Sequence, residues 1–338
     1  MNFSSILGHE RQLEVIRRNL STGQLPPAYL FYGEEGVGKR LVALALAKAL
    51  NCSNPTLDGD SCGVCQSCRN INSGCHPNIM AVGLEANPDT GKMRQAIVIA
   101  QVRAAQEFIS LKSVGGGRKA LIVDGAHLMN EEAMSAFLKT LEEPPAESHI
   151  VLVTSRPDSL LTTVLSRCRA VGFSCLSEEA LARLLMEKKG LPHEDALIVA
   201  RLTGGRPGEA LGVDPSDLLE RRRDVIKFMN KLPEQTLPQV LKAAEKMAAD
   251  EGVLEDLVVF GSAWFRDIMI LSAGAKESLA INRDLTSELR IWVGRIGGWR
   301  SEEAISLLGQ TGRALERTFN RRLMAEDLFL RLKREVLI

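Results

Sequence analysis

Short apolar runs alternate with helix-forming stretches along the first half of the chain. Continuous apolar segments of this length are typical of strands buried on both faces of a sheet. Three runs fit: "PAYLFYG" (27–33), "KALIVDGAHLM" (119–129) and "HIVLVTS" (149–155). The intervening stretches rich in helix formers predict three helices, at 39–50, 97–111 and 130–145. Strands that alternate with helices indicate an α/β domain built on a parallel sheet.

The pattern changes after about residue 173. "SEEALARLLMEKKG" and "EDALIVARLTGG" each end in glycine and predict a small helical domain. "DPSD" (214–217) is predicted as a linker, and helical periodicity alone follows, with the three tryptophans expected at helix–helix interfaces. We therefore expect three domains: 1–173, 174–213 and 214–338.

Charge and composition narrow the function classes. The 338 residues include 42 Lys+Arg and 42 Asp+Glu, which disfavours a general nucleic-acid coat but not a local basic patch. Five cations of the first domain could contact DNA, but the favoured interpretation is that they are ordinary cations scattered over the surface: Arg94, Arg103, Lys112, Arg118 and Lys119. No apolar run reaches the ~18 residues of a membrane span. The start of the chain lacks a signal-peptide pattern, so we expect a cytoplasmic protein.

The stretch "FYGEEGVGKR" (31–40) fits the phosphate-binding motif G-x-x-x-x-G-K-[ST] except at its last position. Backbone N–H groups around Gly33, Gly36 and Gly38 would surround phosphates, and Lys39 would reach the outer ones. Arg40 stands where Ser or Thr normally ligates Mg²⁺. The loop predicts a nucleotide site that has lost one metal ligand.

Asp124 ends an apolar strand, the position from which a Walker-B acid holds Mg²⁺. A plain cap of the strand end or of a helix is the alternative. The next residue is Gly125, where ATPases of the AAA+ class usually carry a glutamate that polarises the attacking water. Two parts of the hydrolytic apparatus are therefore missing. Since positioning and electrostatics supply nearly all of phosphoryl-transfer catalysis, we expect no intrinsic ATPase.

Four cysteines crowd one short insert at about 51–78 with the spacing C-x9-C-x2-C-x2-C: Cys52, Cys62, Cys65 and Cys68. Four thiolates complete a tetrahedral shell and leave no open position, so the spacing predicts structural zinc. An iron–sulfur run of the form C-x2-C-x2-C-x3-C-P is an alternative, although the last gap here is six. Cys75 or His76 could also replace Cys52, and free thiols remain a further interpretation.

Arg167 lies in "SRC" (166–168), after a predicted strand and a short amphipathic turn. An exposed arginine there could reach a neighbouring subunit's γ-phosphate as an arginine finger. From spacing alone, a surface arginine beside a buried Cys168 is the favoured interpretation.

These pieces together resemble bacterial clamp loader subunits of the AAA+ superfamily, specifically the delta-prime family of DNA polymerase III. The first domain carries most of the resemblance, in "ILGHERQLEVI", "PPAYLFYGEEGVGK", the four-Cys insert, "LMNEEAMSAFLKTLEEPP" and "LLTTVLSRCR". The C-terminal "LERTFNRRLMAEDLFLRL" is similar to that family's last helices. The combination of "LKTLEEPP", "SRC" and the four-Cys insert is far more specific than the glycine loop.

The resemblance implies a RecA-like AAA+ domain, a helical lid and a helical collar for oligomerisation. It implies a hetero-pentamer of one delta, one delta-prime and three gamma/tau motor subunits, which opens the beta sliding clamp and places it on primer–template DNA. It also implies that Arg167 is an arginine finger, which reverses the interpretation from spacing. Arg206 of "TGGRPGEA" would lie near a second phosphate-sensing position.

Two departures separate this chain from the motor subunits. Arg40 and Gly125 fit a stator that does not hydrolyse ATP, whereas the alternative is an ATP-hydrolysing, gamma/tau-like motor. The four-Cys insert and "SRC" do not discriminate, since motor subunits share them. A recombination or repair loader is disfavoured by the pairing of "LEEPP" with "SRC". Whether ATP or ADP still binds at Lys39 stays open.

Overall fold

A computed structural model describes residues 2–87, 91–250, 252–315 and 320–337. The chain divides into two compact units, residues 1–180 with 206–208 and residues 181–205 with 209–338. Among the helices described, none combines the length and the apolar character that crossing a bilayer requires.

The first unit contains a five-stranded sheet in which every pair of neighbouring strands is parallel. Its strands are β1 (Ala28–Gly33), β2 (Ile79–Val82), β3 (Lys119–Asp124), β4 (Ser148–Thr154) and β5 (Arg169–Phe173), in the spatial order β2-β3-β4-β1-β5. The predicted α/β class with a parallel sheet is confirmed. Sequence reasoning missed β2 and β5, because β2 is apolar over only four residues and β5 begins with an arginine and contains a glycine.

Helices cover both faces of this sheet, as its continuous apolar strands require. They are α1 (Glu10–Ser21), α2 (Lys39–Asn51), α3 (Gln66–Asn72), α4 (Ile99–Ser110), α5 (Glu131–Glu142) and α6 (Thr162–Leu165). Successive residues of β1 enter different cores, because strand side chains alternate between the faces. Leu30 joins the core under α4 and α5, and Tyr29 and Phe31 join the core under α1 and α2.

All the regular elements described in the second unit are helices, as the periodicity predicts. Its helices are α7 (Glu178–Lys189), which begins at the end of the first unit, α8 (His193–Leu202), α9 (Pro207–Gly212), α10 (Pro215–Lys231), α11 (Leu237–Ala249), α12 (Val253–Ser272), α13 (Thr286–Leu315) and α14 (Arg321–Arg331). The backbone of α13 leaves helical geometry at Gly297, where φ is 67°.

Two predictions for this region are wrong. Residues 214–217 are not a linker, because the Asp214 carboxylate accepts from the backbone N–H of Ser216 at 2.9 Å and caps α10, in which Pro215 is the first residue. Trp299 is 67% exposed, although Trp264 and Trp292 do pack edge to face in the core.

The division of the helical part at residue 213 into lid and collar stays a prediction, since one compact unit holds residues on both sides of it. Residues 316–319, within the C-terminal stretch that carries the resemblance, lie outside the described residues.

Candidate nucleotide site and metal cluster

The loop between β1 and α2 has a backbone shape that glycine alone adopts easily. Gly33, Gly36 and Gly38 have φ angles of 143°, 78° and 105°, in the range that favours residues without a Cβ. A Cβ on Gly33 would lie 2.0 Å from the carbonyl oxygen of Phe173. The predicted glycines therefore form a tight strand-to-helix turn, with Gly38 capping α2.

Lys39 is buried, and its ammonium turns back into this loop. The Nζ atom donates to the carbonyl oxygen of Gly33 at 2.8 Å and to that of Glu34. Burial lowers the pKa of Lys39, and the nearby Glu35 carboxylate opposes that shift. The ammonium satisfies its desolvated charge with loop carbonyls.

Arg40 and Asp124 form an ion pair across the site. Nη1 of Arg40 lies 3.5 Å from Oδ2 of Asp124, and the two side chains are 60% and 36% exposed. Mg²⁺ needs oxygen ligands in near-octahedral geometry, whereas a guanidinium offers only N–H donors. The residues at these two positions therefore do not fit the Mg²⁺ ion that a phosphate-binding loop usually accompanies.

Gly125 supplies no base, and its backbone resists replacement. Its φ is 77°, and a Cβ there would lie 3.0 Å from Cδ1 of Leu128. Between this turn and the end of β4, His127 Nδ1 lies 3.1 Å from Oγ1 of Thr154 and His127 Nε2 lies 3.4 Å from Oγ of Ser155. Burial lowers the pKa of His127, and so does the charge of Arg156.

One open cavity of about 620 Å³ joins these groups at the carboxyl edge of the sheet. Its lining includes Lys39, Arg40, Asp124, His127 and Thr154. Sequence reasoning singled out the first three and missed His127 and Thr154. Their positions did offer a signal: Thr154 ends β4 and His127 follows the end of β3 closely, and polar residues near the carboxyl ends of parallel strands collect at one edge where ligands bind.

The segment 206–208, which belongs to the first unit, contacts the glycine loop. The backbone N–H of Gly208 donates to the carbonyl oxygen of Gly36 at 2.8 Å, and a Cβ on Gly208 would lie 2.9 Å from that oxygen. Glycine is thus required at 208 for this contact. Within "TGGRPGEA", the structure therefore places Gly208 against the loop, and the phosphate-sensing role of Arg206 stays a prediction.

Arg167 lies just after α6 and pairs with the last residue of α5. Its Nη2 donates to Oε1 of Glu142 at 2.6 Å, and its Nη1 donates to the carbonyl oxygen of Thr163 at 2.8 Å. Cys168 beside it packs against the core, and burial raises the pKa of this thiol to about 11. Arg167 does not line the cavity described above.

The four predicted cysteines come together in the insert. The Sγ atoms of Cys52, Cys62, Cys65 and Cys68 all lie within 4.8 Å of one another. The Sγ of Cys52 is 3.9 Å from that of Cys65 and 3.7 Å from that of Cys68. Tetrahedral zinc with Zn–S bonds of about 2.3 Å separates its sulfurs by about 3.8 Å. The thiols therefore fit a zinc ion.

Backbone N–H groups point at these sulfurs, as a thiolate cluster requires. Cys62 N–H donates to Cys52 Sγ at 3.2 Å, and Cys65 N–H donates to Cys62 Sγ at 3.3 Å. Burial opposes the Cys65 thiolate, but hydrogen bonds from Cys68 and Ser53 outweigh it and lower the pKa of Cys65 to about 6. Burial and the hydrogen bond with Cys65 raise the pKa of Cys68.

The two substitute ligands face elsewhere. Cys75 is exposed, and its thiol donates to the carbonyl oxygen of Ser73. His76 has both ring nitrogens engaged: Nε2 lies 2.8 Å from Oγ of Ser67, and Nδ1 accepts from the backbone N–H of Asn78 at 3.2 Å. The arrangement favours Cys52 as the fourth ligand.

The five candidate cations for DNA contact do not share one environment. Lys119 is a buried strand residue whose Nζ donates to the carbonyl oxygen of Pro77 at 3.0 Å, so the surface interpretation is wrong for it. Nη1 of Arg118 lies 3.2 Å from Nε2 of His149. Arg103 and Lys112 are exposed, and Arg94 is half-buried.

A parallel sheet with a glycine loop after β1 and an acid at the end of β3 defines a phosphate-binding-loop domain. Residues 8–177 match the family described as "DNA polymerase III, delta subunit". The delta' subunit of DNA polymerase III from Bacillus subtilis is 30% identical over 290 residues, which cover 83% of this chain and 82% of that protein. The chain belongs to the delta-prime family of DNA polymerase III subunits.

Two further relatives include one delta' subunit and one tau subunit. The delta' subunit of Pseudomonas aeruginosa is 33% identical over 213 residues, covering 62% of each chain. The tau subunit of Escherichia coli is 31% identical over 216 residues, covering 62% of this chain and 32% of that protein. Similarity therefore extends to a tau subunit as well as to delta' subunits.

Proposed function

We propose that this chain is the delta-prime stator of a DNA polymerase III clamp loader and does not hydrolyse ATP. The Arg40–Asp124 ion pair carries the proposal, because it places a guanidinium where a motor subunit coordinates Mg²⁺. Gly125 supports it, since no carboxylate follows Asp124 and the left-handed backbone resists one. The gamma/tau-like motor is the second candidate, and both positions disfavour it.

The proposed partners are the delta subunit, the gamma/tau motor subunits, the beta sliding clamp and primer–template DNA. In this hetero-pentamer, which would work in the cytoplasm, Arg167 would act in trans on the ATP of a neighbouring motor subunit. Its half-exposed position after α6, among residues that do not line the cavity of its own chain, supports that role. A guanidinium can stabilise the charge that develops on a transferring phosphoryl group.

We also propose one structural zinc ion held by Cys52, Cys62, Cys65 and Cys68. Bound zinc would tie the end of α2 to α3, since Cys52 follows α2 and Cys68 lies within α3. The glycine loop is proposed to retain a phosphate cradle around Lys39. That cradle would bind ATP or ADP without a metal and without turnover.

Steady-state ATPase measurements test the stator proposal. The isolated chain should show negligible turnover, and the complex reconstituted with motor subunits should hydrolyse ATP. Arg167→Ala should leave assembly intact and lower the kcat of the complex, because the ATP site that faces Arg167 loses its finger. Turnover by the isolated chain that Lys39→Ala abolishes would instead identify a motor.

A further inference from the structure

The guanidinium of Arg167 is held from two directions. Its Nη2 donates to Oε1 of Glu142 at 2.6 Å, and its Nη1 donates to the carbonyl oxygen of Thr163 at 2.8 Å and to Oγ of Ser166 at 3.3 Å. The carboxylate comes from the end of α5, and the other two acceptors come from α6 and its C-cap. The orientation of the guanidinium therefore depends on how these two helices are placed.

Packing sets that placement. Leu141 of α5 and Val164 of α6 are buried in the same apolar core, and Leu165 packs against it. Such close-packed contacts leave little freedom for one helix to shift against the other. Glu142 and Arg167 therefore face each other across a rigid junction.

Helix stability alone does not account for Glu142. It is the last residue of α5, where the partial negative charge of the helix end disfavours a carboxylate. The guanidinium of Arg167 offsets that repulsion. The pair is accessible to a partner, because the two side chains are 33% and 49% exposed.

The contacts leave two N–H groups of the guanidinium available. Arginine has five N–H donors, and the recorded contacts use the two on Nη1 and one on Nη2. Within the described part of the chain, no further acceptor for Arg167 is recorded, so the Nε–H and the second N–H of Nη2 remain. These N–H groups are donors of the kind with which arginine binds phosphate.

We propose that Glu142 is a positioning residue for Arg167, an inference that rests on the proposed arginine-finger role. Glu142 engages Nη2 so that the guanidinium is held in one orientation, with its remaining N–H groups presented to the phosphoryl group of the neighbouring subunit's nucleotide. Without the carboxylate, the guanidinium is anchored through Nη1 alone and turns about that contact. Fewer encounters then have the orientation that stabilises the transition state.

The test is a double-mutant cycle in the complex reconstituted with its motor and delta subunits. The variants are Glu142→Ala, Glu142→Gln, Arg167→Ala and the Glu142→Ala/Arg167→Ala double variant. Glu143→Ala is the matched control, because Glu143 is the adjacent exposed acid. The readouts are kcat and KM for ATP, with assembly of each variant checked by size-exclusion chromatography.

Glu142→Ala should lower turnover at the ATP site that Arg167 serves about three- to tenfold, the effect of one lost orienting hydrogen bond, with KM changed by less than about twofold. The kcat of the whole complex should fall in the same direction and by no more than it does in Arg167→Ala. Glu142→Gln should keep most of kcat, because its amide oxygen still accepts from Nη2. Glu142→Ala should add nothing to Arg167→Ala, and Glu143→Ala should match the wild type.

An equal loss from Glu142→Ala in the Arg167→Ala background would mean a structural role and overturn the inference. An unchanged kcat for Glu142→Ala, with a reduced kcat for Arg167→Ala, would overturn it and leave the finger intact. If Arg167→Ala itself changed nothing, the finger role and the inference built on it would both be wrong.

Discussion

Nη1 of Arg40 lies 3.5 Å from Oδ2 of Asp124, so an arginine of this chain occupies the side of the site from which a phosphate-binding-loop ATPase holds its metal. The pair joins the first turn of α2 to the end of β3. An exposed pair of this kind is worth about 0–1 kcal/mol. The pair therefore contributes little to folding stability. Its main effect is on the chemistry of the site, because the guanidinium of Arg40 places positive charge there without Mg²⁺.

Nucleotide binding should be indifferent to Mg²⁺ in the wild type and should become Mg²⁺-dependent in Arg40→Ser. The serine hydroxyl restores one metal ligand, and removing the guanidinium frees Asp124. Titration calorimetry with ADP, in Mg²⁺ and in EDTA, should give equal wild-type Kd values. Arg40→Ser should bind at least about fivefold tighter with Mg²⁺, roughly 1 kcal/mol. Lys39→Ala is the control that should remove binding, and a Mg²⁺-dependent wild type would contradict the prediction.

Gly125→Glu should destabilise the chain and should not create an ATPase. A side chain at φ 77° is strained, and its Cβ would meet Leu128, so we expect a loss of about 1–3 kcal/mol. Urea unfolding measures the loss. Gly125→Asn is the matched control with a smaller expected cost, because asparagine tolerates this backbone region better. Wild-type stability of Gly125→Glu would show that the turn is not strained.

Removal of zinc should lower the thermal stability of the chain, because the free energy of metal binding to the folded cluster contributes to folding. Elemental analysis should find about one zinc per chain. Cys65→Ser should lose the metal and lower Tm, whereas Cys75→Ser should keep both, since Cys75 faces away from the cluster. Iron with visible absorbance would identify an iron–sulfur centre, and loss of zinc in Cys75→Ser would revise the ligand set.

The stability of the chain should fall as the pH drops below about 6.5, the usual pKa of histidine. His149 is buried, with Nδ1 3.1 Å from the carbonyl oxygen of Pro26 and Nε2 accepting from Arg118. Burial lowers the pKa of His149 in the folded chain. The unfolded chain therefore takes up the proton first, and the contribution of neutral His149, complete above about 6.5, is lost as the pH falls.

Urea unfolding between about pH 7.5 and 5.5, on either side of the ordinary histidine pKa, checks this expectation. His149→Gln should have a shallower pH dependence than the wild type. Some dependence should remain, because burial also lowers the pKa of His76 and of His127. Equal slopes for the variant and the wild type would show that His149 does not contribute.

The strands and turns that could be predicted are those whose residue types favour one local structure. Continuous apolar runs identified β1, β3 and β4, and the glycine spacing identified the turn before α2. The short strands β2 and β5 escaped, because four or five residues carry too little periodicity to separate a strand from a loop. Lys119 looked like a surface cation, because one sequence cannot show that its ammonium meets a carbonyl inside the fold.

The sequence by itself determined the α/β class, the four-Cys insert and the loss of a hydroxyl at Arg40 and of a carboxylate at Gly125. Each of these depends on residue type and local spacing. Only the tertiary structure decided that Arg40 meets Asp124 and that Glu142 meets Arg167, because each pair joins residues far apart in the chain. Such contacts depend on how the parallel strands and their helices pack together, and local sequence patterns do not specify which distant residues will meet.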